Sequence, residues 1–316
     1  MDWVSIFVVI FGLGLFEIIS SIDNAIINAE VLSTMSKKYR RWFLIWGILI
    51  AVFVVRGFLP WVIVWATAPE LGFIGSFTAT FSNDPKITEI IESSAPILMI
   101  GGGIFLVFLF FHWLFLETKN FGLIGEKFFH RHGVWFYAIV SVILTYVVWK
   151  ALHTDNPILA FGAVVGSSVF FITHGFKESA EKAEQNLMQT GMSDIAKILY
   201  LEVIDATFSI DGVLGAFAFT MSIPLILIGN GLGAIVVRQI TVSNVERIKK
   251  YLFLKNGAMY SIFFLGLFMT LKGFGIEIPE YIAPLFTTII VAYFFLKSSK
   301  AIKNQALTDA KKIIDL

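Results

Sequence analysis

An all-α, polytopic membrane protein is the fold class that the sequence predicts, and three observations lead to it. Hydrophobic residues make up 57% of the 316 residues and charged residues only 15%, so much of the chain must face a medium less polar than water. The hydrophobic residues form runs long enough to cross about 30 Å of hydrocarbon as helices. These runs are continuous and lack the alternation of barrel strands, and a helix satisfies its own backbone hydrogen bonds in lipid.

Nine stretches are long and apolar enough to be predicted spans. They run over 3–32, 42–66, 95–116, 134–152, 157–175, 199–221, 223–242, 257–272 and 281–297. The first is expected to be retained, because Asp2 and the lack of a basic start are unlike a removable signal peptide. The boundary at 220–224 is weak, and a single helix across it would reduce the count to eight.

Basic residues decide between eight and nine spans. The first loop is made cytoplasmic by the positive-inside rule, since it carries Lys37, Lys38, Arg40 and Arg41. With nine spans the later basic clusters, at 119–131, 247–255 and 297–312, fall on the same side, whereas eight spans would place the last two outside. The sequence therefore predicts a cell-membrane protein with its N-terminus outside and its C-terminus in the cytoplasm.

The chain contains no cysteine and has a net charge of +1. Disulfides, thiolate metal ligands and cysteine nucleophiles are therefore excluded. The near-neutral charge gives no indication of a nucleic-acid partner, and the partner that the composition requires is the lipid bilayer.

An acidic motif occurs twice in the chain. Residues 17–26 read EIISSIDNAI, and residues 205–214 read DATFSIDGVL. The equivalent pairs are Glu17 and Asp205, Ser21 and Ser209, and Asp23 and Asp211. Further on, 47–56 resembles 229–238, which pairs Arg56 with Arg238. Two matched elements in the same order indicate an internal duplication.

The predicted topology makes the duplicated halves inverted, because five spans separate the starts of the two motifs. The single membrane domain, 1–316, then divides into a first repeat (1–116), linking helices with a cytoplasmic loop (117–198), a second repeat (199–297) and a tail (298–316). Inverted repeats with polar helices in equivalent places are typical of secondary transporters, whose substrate site lies near the bilayer midplane.

Helix geometry leaves two ways to bring the acids together. In a continuous helix, Glu17 and Asp23 would be about 9 Å apart along the axis and would point about 120° apart, so they could not share one ion. Either the serine, aspartate, asparagine and glycine residues unwind the helices, or the helices stay whole and Asp23 meets Asp211 across the pseudo-two-fold axis. Glu202 adds an acid one turn before Asp205, although Gly14 stands at the equivalent place in the first copy.

A bound cation would offset the cost of burying these acids. Each acid at a span centre costs about 2.5–3.5 kcal/mol on an insertion scale. The only basic residues predicted deep in the spans are Arg56 and Arg238, and two positive charges against four or five acids favour a divalent cation. Carboxylates, the Asn24 amide and serine hydroxyls suit manganese, magnesium or calcium better than zinc or copper. We expect the metal ion to be a substrate and expect no organic cofactor.

The candidate site is defined by these residues. The expected metal ligands are Glu17, Asp23, Asn24, Asp205, Asp211 and Glu202, and the expected supporting residues are Ser21, Ser209, Arg56, Arg238 and His174. His174, at the inner end of the fifth predicted span, is interpreted either as a gate or proton-coupling group or as an ordinary helix-end histidine. The other four histidines, at 112, 130, 132 and 153, lie near predicted helix ends or in loops and are expected at the interface.

The two motifs resemble those of a known family. EIISSIDNAIINAEVL at 17–32 resembles the E-x-x-x-S-x-D-N signature of the TerC family of integral membrane proteins, and FSIDGVLGAFAFT at 208–220 resembles its second acidic motif. The order of motifs is similar to that of a long branch of the family, within the lysine-exporter superfamily. The resemblance implies export of manganese or a related divalent ion, and an association with tellurite resistance. The chain departs from the family pattern at Asp205, where glutamate is expected, and in the stretch 173–185.

Three functions from different classes follow. A divalent-cation exporter accounts for the paired acids, the inverted repeats and the short loops. A membrane scaffold subunit of a metal or tellurite stress-resistance complex would need a partner surface, for which 176–198 is the candidate. An intramembrane enzyme could use two acids as an aspartyl pair, but no substrate motif accompanies them. We therefore predict a transporter and not an enzyme. The sequence leaves open which metal is carried and whether the protein is a channel or an antiporter. It also leaves open whether the protein forms homo-oligomers or binds stress-complex partners.

Overall fold

The described part of the chain consists of helices and the loops that connect them. The computed structural model describes residues 3–47, 50, 56–79, 85–154, 156–187, 193–243 and 249–314, and no strand occurs within them. The helices are α1 (Trp3–Ser20), α2 (Ile22–Ser33), α3 (Lys37–Trp42), α4 (Arg56–Thr67), α5 (Gly72–Ala79), α6 (Pro85–Phe115), α7 (Glu126–Arg131), α8 (Trp135–Leu152), α9 (Ile158–Leu187), α10 (Asp194–Phe217), α11 (Ile223–Ser243), α12 (Leu254–Gly273) and α13 (Ile282–Ile314). The predicted all-α class is confirmed.

Several of these helices are long and apolar enough to cross a membrane. Six qualify in the described residues, namely α1, Glu92–Phe115 of α6, α8, Ile158–Phe176 of α9, α12 and Ile282–Asn304 of α13. Helices α4 and α5 are bent by 103° at a short break and would form a seventh span as a pair. The multi-pass helical character is confirmed, whereas the count of nine spans and the orientation stay predictions.

Helix α6 is the centre of the bundle. Its apolar window is 83% buried, more than that of the other candidate spans in the described residues, and it packs against α8, α9 and α12. A Cβ atom on Gly166 of α9 would overlap the Gly101 carbonyl of α6, and one on Gly103 would lie 2.8 Å from the Gly266 oxygen of α12. Lipid provides no hydrophobic drive between helices, so close backbone packing at such small residues holds them together.

The helix of the first acidic motif packs against that of the second. Near the middle of α1, Gly12 faces Phe219, just beyond the end of α10, whereas Glu17 near the end of α1 faces Gly212 within α10. The order of contacts along one helix is the reverse of that along the other. Helices α1 and α10 are therefore antiparallel neighbours.

Neither motif is unwound in the structure. Helix α10 continues without a break from Asp194 to Phe217. Ser21 is the single residue between α1 and α2, and helical hydrogen bonds continue across it. Ser21 N donates to Glu17 O at 3.1 Å, and Ala25 N donates to Ser21 O at 2.9 Å. The helices are therefore whole, as the second alternative requires, whereas the meeting of Asp23 with Asp211 stays a prediction because the Asp23 side chain lies outside the described residues.

A buried carboxylate fixes the loop that follows α6. Glu126 is 1% exposed and accepts hydrogen bonds from Gly122 N at 2.6 Å, Asn256 Nδ2 at 2.9 Å and Tyr260 Oη at 3.1 Å. Because two of these donors belong to α12, Glu126 ties the loop to that helix. This loop lies at the end of the bundle that also holds the start of α12.

Lys119 closes the C-terminal end of α6. Its Nζ donates to the carbonyls of Trp113 and, at 2.6 Å, of Leu114, and it lies 4.2 Å from the centre of the Trp113 ring. Burial lowers the pKa of Lys119 to about 8, although Glu126 and Glu117 act in the opposite direction. The lysine therefore places a positive charge at the C-terminal end of the helix, where the helix dipole favours it, although burial makes the ammonium group easier to deprotonate.

Replacing Glu126 by glutamine should destabilise the folded protein. The glutamine amide would present a donor where three donors already converge, so one buried donor would lose its acceptor. We expect the free energy of unfolding to fall by about 1–3 kcal/mol. Denaturant unfolding in detergent measures the change. Glu89→Gln is the matched control, since Glu89 is exposed; equal stability of the two variants would contradict the anchoring role of Glu126.

Candidate cation site

Glu17 lies between two helices of the second repeat. Its side chain is buried, and Ser21 Oγ donates a hydrogen bond to Glu17 Oε1 at 2.7 Å. A Cβ atom on Gly212 of α10 would lie 3.3 Å from Glu17 Oε2, and one on Gly233 of α11 would lie 2.6 Å from Glu17 Cβ. The carboxylate of the first motif therefore reaches the second motif at the residue next to Asp211.

The acids of the second motif lie on different sides of α10. Asp205 and Ser209 are buried and Asp211 is half-buried. Ser209 Oγ donates to the backbone carbonyl of Asp205 at 2.6 Å, and its oxygen can still accept a hydrogen bond. Since the helix is continuous, Asp205 and Asp211 are about 9 Å apart along the axis and about 120° apart in direction. The Asp211 end of the motif is the end that adjoins Glu17 through Gly212.

Glu202 is the acid that pairs with Arg238. Arg238 Nη2 lies 3.9 Å from Glu202 Oε1, Nη1 donates to the Phe43 carbonyl at 3.4 Å, and the guanidinium lies 4.1 Å above the Phe43 ring. Neither Glu202 oxygen has a hydrogen-bond partner among the described residues. A Cβ on Gly47 would overlap Glu202 Oε1, so glycine makes room for the pair. Glu202 has no acidic counterpart in the first copy, yet its contact with Arg238 makes it the partner of a predicted supporting residue.

Two buried asparagines were missed by the sequence reasoning. Asn28 of α2 is 4% exposed and its Oδ1 has no hydrogen-bond partner in the described residues. Asn230 of α11 is fully buried, and neither Oδ1 nor Nδ2 has a partner there. Asn230 stands one turn before Gly233, the glycine that faces Glu17. The available signal was a lone amide inside an apolar helix, since such a group is costly without a partner.

Part of the predicted site lies outside the described residues. The side chains of Asp23 and Asn24, on α2, and of Arg56, at the start of α4, belong to this part. Within the described ranges, no group of three or more histidine, cysteine, aspartate or glutamate residues is arranged to hold a metal ion. A complete ligand set therefore needs donors beyond the described carboxylates.

His174 belongs to a separate polar cavity. Its ring lies 3.8 Å from that of His112, centre to centre, and parallel to the Phe170 ring. The cavity has a volume of about 590 Å³ and is also lined by Glu117 and Lys255, which pair at 2.8 Å. His112 lies in the last turn of α6, as expected, and is only 7% exposed; its position at the membrane interface stays a prediction. The structure thus groups His174 with His112 and not with the acidic motifs.

Substituting Gly233 by alanine should separate α1 from α11. The new methyl group would lie 2.6 Å from both Glu17 Cβ and the Gly14 carbonyl oxygen, and overpacking of this kind costs about 1–3 kcal/mol. We expect a lower unfolding midpoint in detergent.

Gly175→Ala is the matched control for Gly233→Ala. Gly175 is also helical, but no heavy atom lies within 4 Å of the position that a Cβ atom would take there. Alanine at this position should be neutral or slightly stabilising, because it favours the helix by about 1 kcal/mol over glycine. Equal effects of the two substitutions would show that helix propensity, and not the contact with Glu17, sets the response.

Comparison with known proteins gives a family. Over residues 22–306 the chain matches the family model described as "Protein of unknown function (DUF475)". No curated protein and no solved structure matches the chain. Since the family match covers most of the 316 residues, the chain belongs to this family.

Proposed function

We propose that the protein exports divalent metal cations, with manganese the favoured substrate, through an acidic site between two inverted repeats. The observation that carries the proposal is the position of Glu17. Its buried carboxylate, held by Ser21, lies beside Gly212 and so joins the two acidic motifs within an apolar helix bundle. Intramembrane acids are expensive, and they commonly mark ion pathways.

The chemistry of the donors supports a hard divalent ion. Where the two motifs meet, Glu17 and Asp211 offer carboxylate oxygens and Ser21 offers a hydroxyl oxygen. Asp205 and Ser209, about 9 Å away along α10, offer oxygens at a second point of the proposed path. Oxygen donors of this kind suit manganese, magnesium or calcium. Further ligands are expected from Asp23, which the whole-helix arrangement predicts to meet Asp211, and from Asn24; both side chains lie outside the described residues. The resemblance to the TerC family adds the preference for manganese.

Helix packing supports the inverted relation of the repeats. The first-motif helix α1 and the second-motif helix α10 are antiparallel, as inverted copies require. In addition, Gly47 faces Glu202. The residues equivalent to these two are Gly229 and Gly14, and they also face each other: a Cβ atom on Gly14 would lie 3.4 Å from the Gly229 oxygen. One contact is therefore found in both copies, as a pseudo-two-fold relation predicts.

Neutralising the motif acids should abolish transport. Glu17→Gln and Asp211→Asn keep the side-chain size but remove charge that a divalent cation needs, so we expect at least a tenfold fall in manganese flux into proteoliposomes. Glu277→Gln, an exposed acid between α12 and α13, is the control and should transport normally. Full manganese flux in both motif variants, with the fold intact, would refute the proposed site.

Cysteine labelling tests the predicted orientation, because the chain has no native cysteine. Glu70→Cys, exposed between α4 and α5, should react with an impermeant maleimide on intact cells, whereas Lys303→Cys, exposed on α13, should react only after permeabilisation. The opposite labelling pattern would reverse the assignment of sides.

A further inference from the structure

Polar contacts hold one end of the bundle shut around the loop after α2. Asp194 Oδ2, at the start of α10, accepts from Ser36 Oγ at 2.8 Å and from Ser36 N at 3.2 Å, and Lys197 Nζ donates to Thr34 Oγ1 at 2.9 Å. Nearby, Lys249 Nζ bonds Glu30 Oε1 at 2.8 Å. We call the two contacts between 34–36 and α10 the latch.

An apolar layer lies at the same end of these helices. It is a small hydrophobic cluster, distinct from the main core, formed by Val31, Leu32, Met35, Phe43, Ile198 and Leu201, with Tyr39 packed against it. Its members come from α2, from the beginning of the second predicted span and from the first turns of α10. Leu201 is fully buried although it lies only two turns from the start of its helix.

The ion pair of Glu202 and Arg238 adjoins this layer directly. Glu202 follows Leu201 in the chain, and Phe43 belongs to the apolar layer while it also covers the Arg238 guanidinium. One further turn along α10 lies the buried Asp205. The order along α10 is therefore latch, apolar layer, ion pair and motif acid, that is Asp194, Ile198 and Leu201, Glu202, and Asp205.

We propose that the latch, the apolar layer and the Glu202–Arg238 pair form the closed gate between the acidic site and the end of the bundle that carries the first basic loop. By the positive-inside rule this end is cytoplasmic. The inference rests on the proposed function, because it assigns the gate to the path of the exported cation. The structure is in its gate-closed state on this side.

The ion pair gives the gate a means of responding to the cation. Glu202 keeps two buried oxygens without a hydrogen bond in the described residues, and its contact with Arg238 is long, at 3.9 Å. An arriving divalent cation competes with the guanidinium for this carboxylate, and it can pass on to Asp205 one turn away. Arg238 stays protonated and cannot relieve its burial by losing charge, so it must move towards another acceptor when the cation binds Glu202.

The weakness of the latch fits a part that opens. Its hydrogen bonds are solvent-exposed, and exposed polar or ionic contacts contribute little to stability. The apolar layer is small and separate from the core around α6, so opening it leaves the main core packed. Gly47 also matters, because a larger side chain there would push into Glu202 and Arg238 and prevent the pair from closing.

Cross-linking the latch tests the gate. Ser36→Cys with Asp194→Cys, joined by a short bis-methanethiosulfonate reagent, should reduce manganese flux in proteoliposomes at least tenfold, and a reductant should restore it. The matched control joins Glu117→Cys to Lys255→Cys, an ion pair of the same 2.8 Å length in the separate histidine cavity, and should leave flux unchanged. Undiminished flux through the latch-linked protein would overturn the gate.

A second measurement does not depend on transport. Leu201→Cys, or Ile198→Cys if the first variant folds poorly, reports whether a water-soluble thiol reagent reaches the apolar layer. Adding Ser36→Ala and Lys197→Ala should raise the labelling rate at least tenfold, and an unchanged rate would overturn the gate. If the unmodified protein moves no manganese, the proposed function fails, and this labelling result alone decides the gate.

Discussion

The burial of the Glu17 carboxylate among apolar helices is the constraint on which the rest of this structure depends. A charge in this position is tolerated only where hydrogen bonds, countercharges or a cation replace water. Ser21 supplies one hydrogen bond from the next turn, and glycines at 212 and 233 let α10 and α11 approach closely enough to exclude lipid from the carboxylate. The burial of the acidic motif thus depends on the close helix packing at these glycines.

The matched contacts of the two motif copies differ in charge. Gly47 faces Glu202 at one end, and the equivalent contact at the other joins Gly229 to Gly14, two residues without side chains. The contact at Gly47 includes the Glu202–Arg238 ion pair, whereas the contact at Gly229 joins two glycines. The proposed cation path would therefore meet a charged barrier at the ion pair that the matched glycine contact does not provide.

The sequence predicted the fold class, because hydropathy is a property of the chain itself, and repetition identified the two acidic motifs whose helices pack together in the structure. It did not predict that Arg238 pairs with Glu202, since helical spacing gives the face of a residue but not the neighbour that packs on it. The buried amides of Asn28 and Asn230 could have been noticed as polar groups within apolar helices, but the sequence does not show what packs around them. His112 lies near a helix end as expected, and the sequence did not show that the start of α8 and His174 of α9 pack over it. Hydropathy also could not separate whole helices from unwound ones at Ser21, because the same residue types occur in both.

The distribution of strong and weak packing indicates which part of the molecule moves. Helix α6 is held by backbone contacts at Gly101 and Gly103 and by the Glu126 hydrogen bonds in the loop beyond it, and these buried interactions are costly to break. The end of α10 near Asp194, by contrast, is held by exposed hydrogen bonds and by a small apolar cluster of its own. Regions with few buried contacts open at lower free energy than the core. Among the described residues, the core around α6 is therefore held by buried interactions, whereas the end of α10 that is held by exposed contacts lies beside Glu202, on the proposed path of the cation.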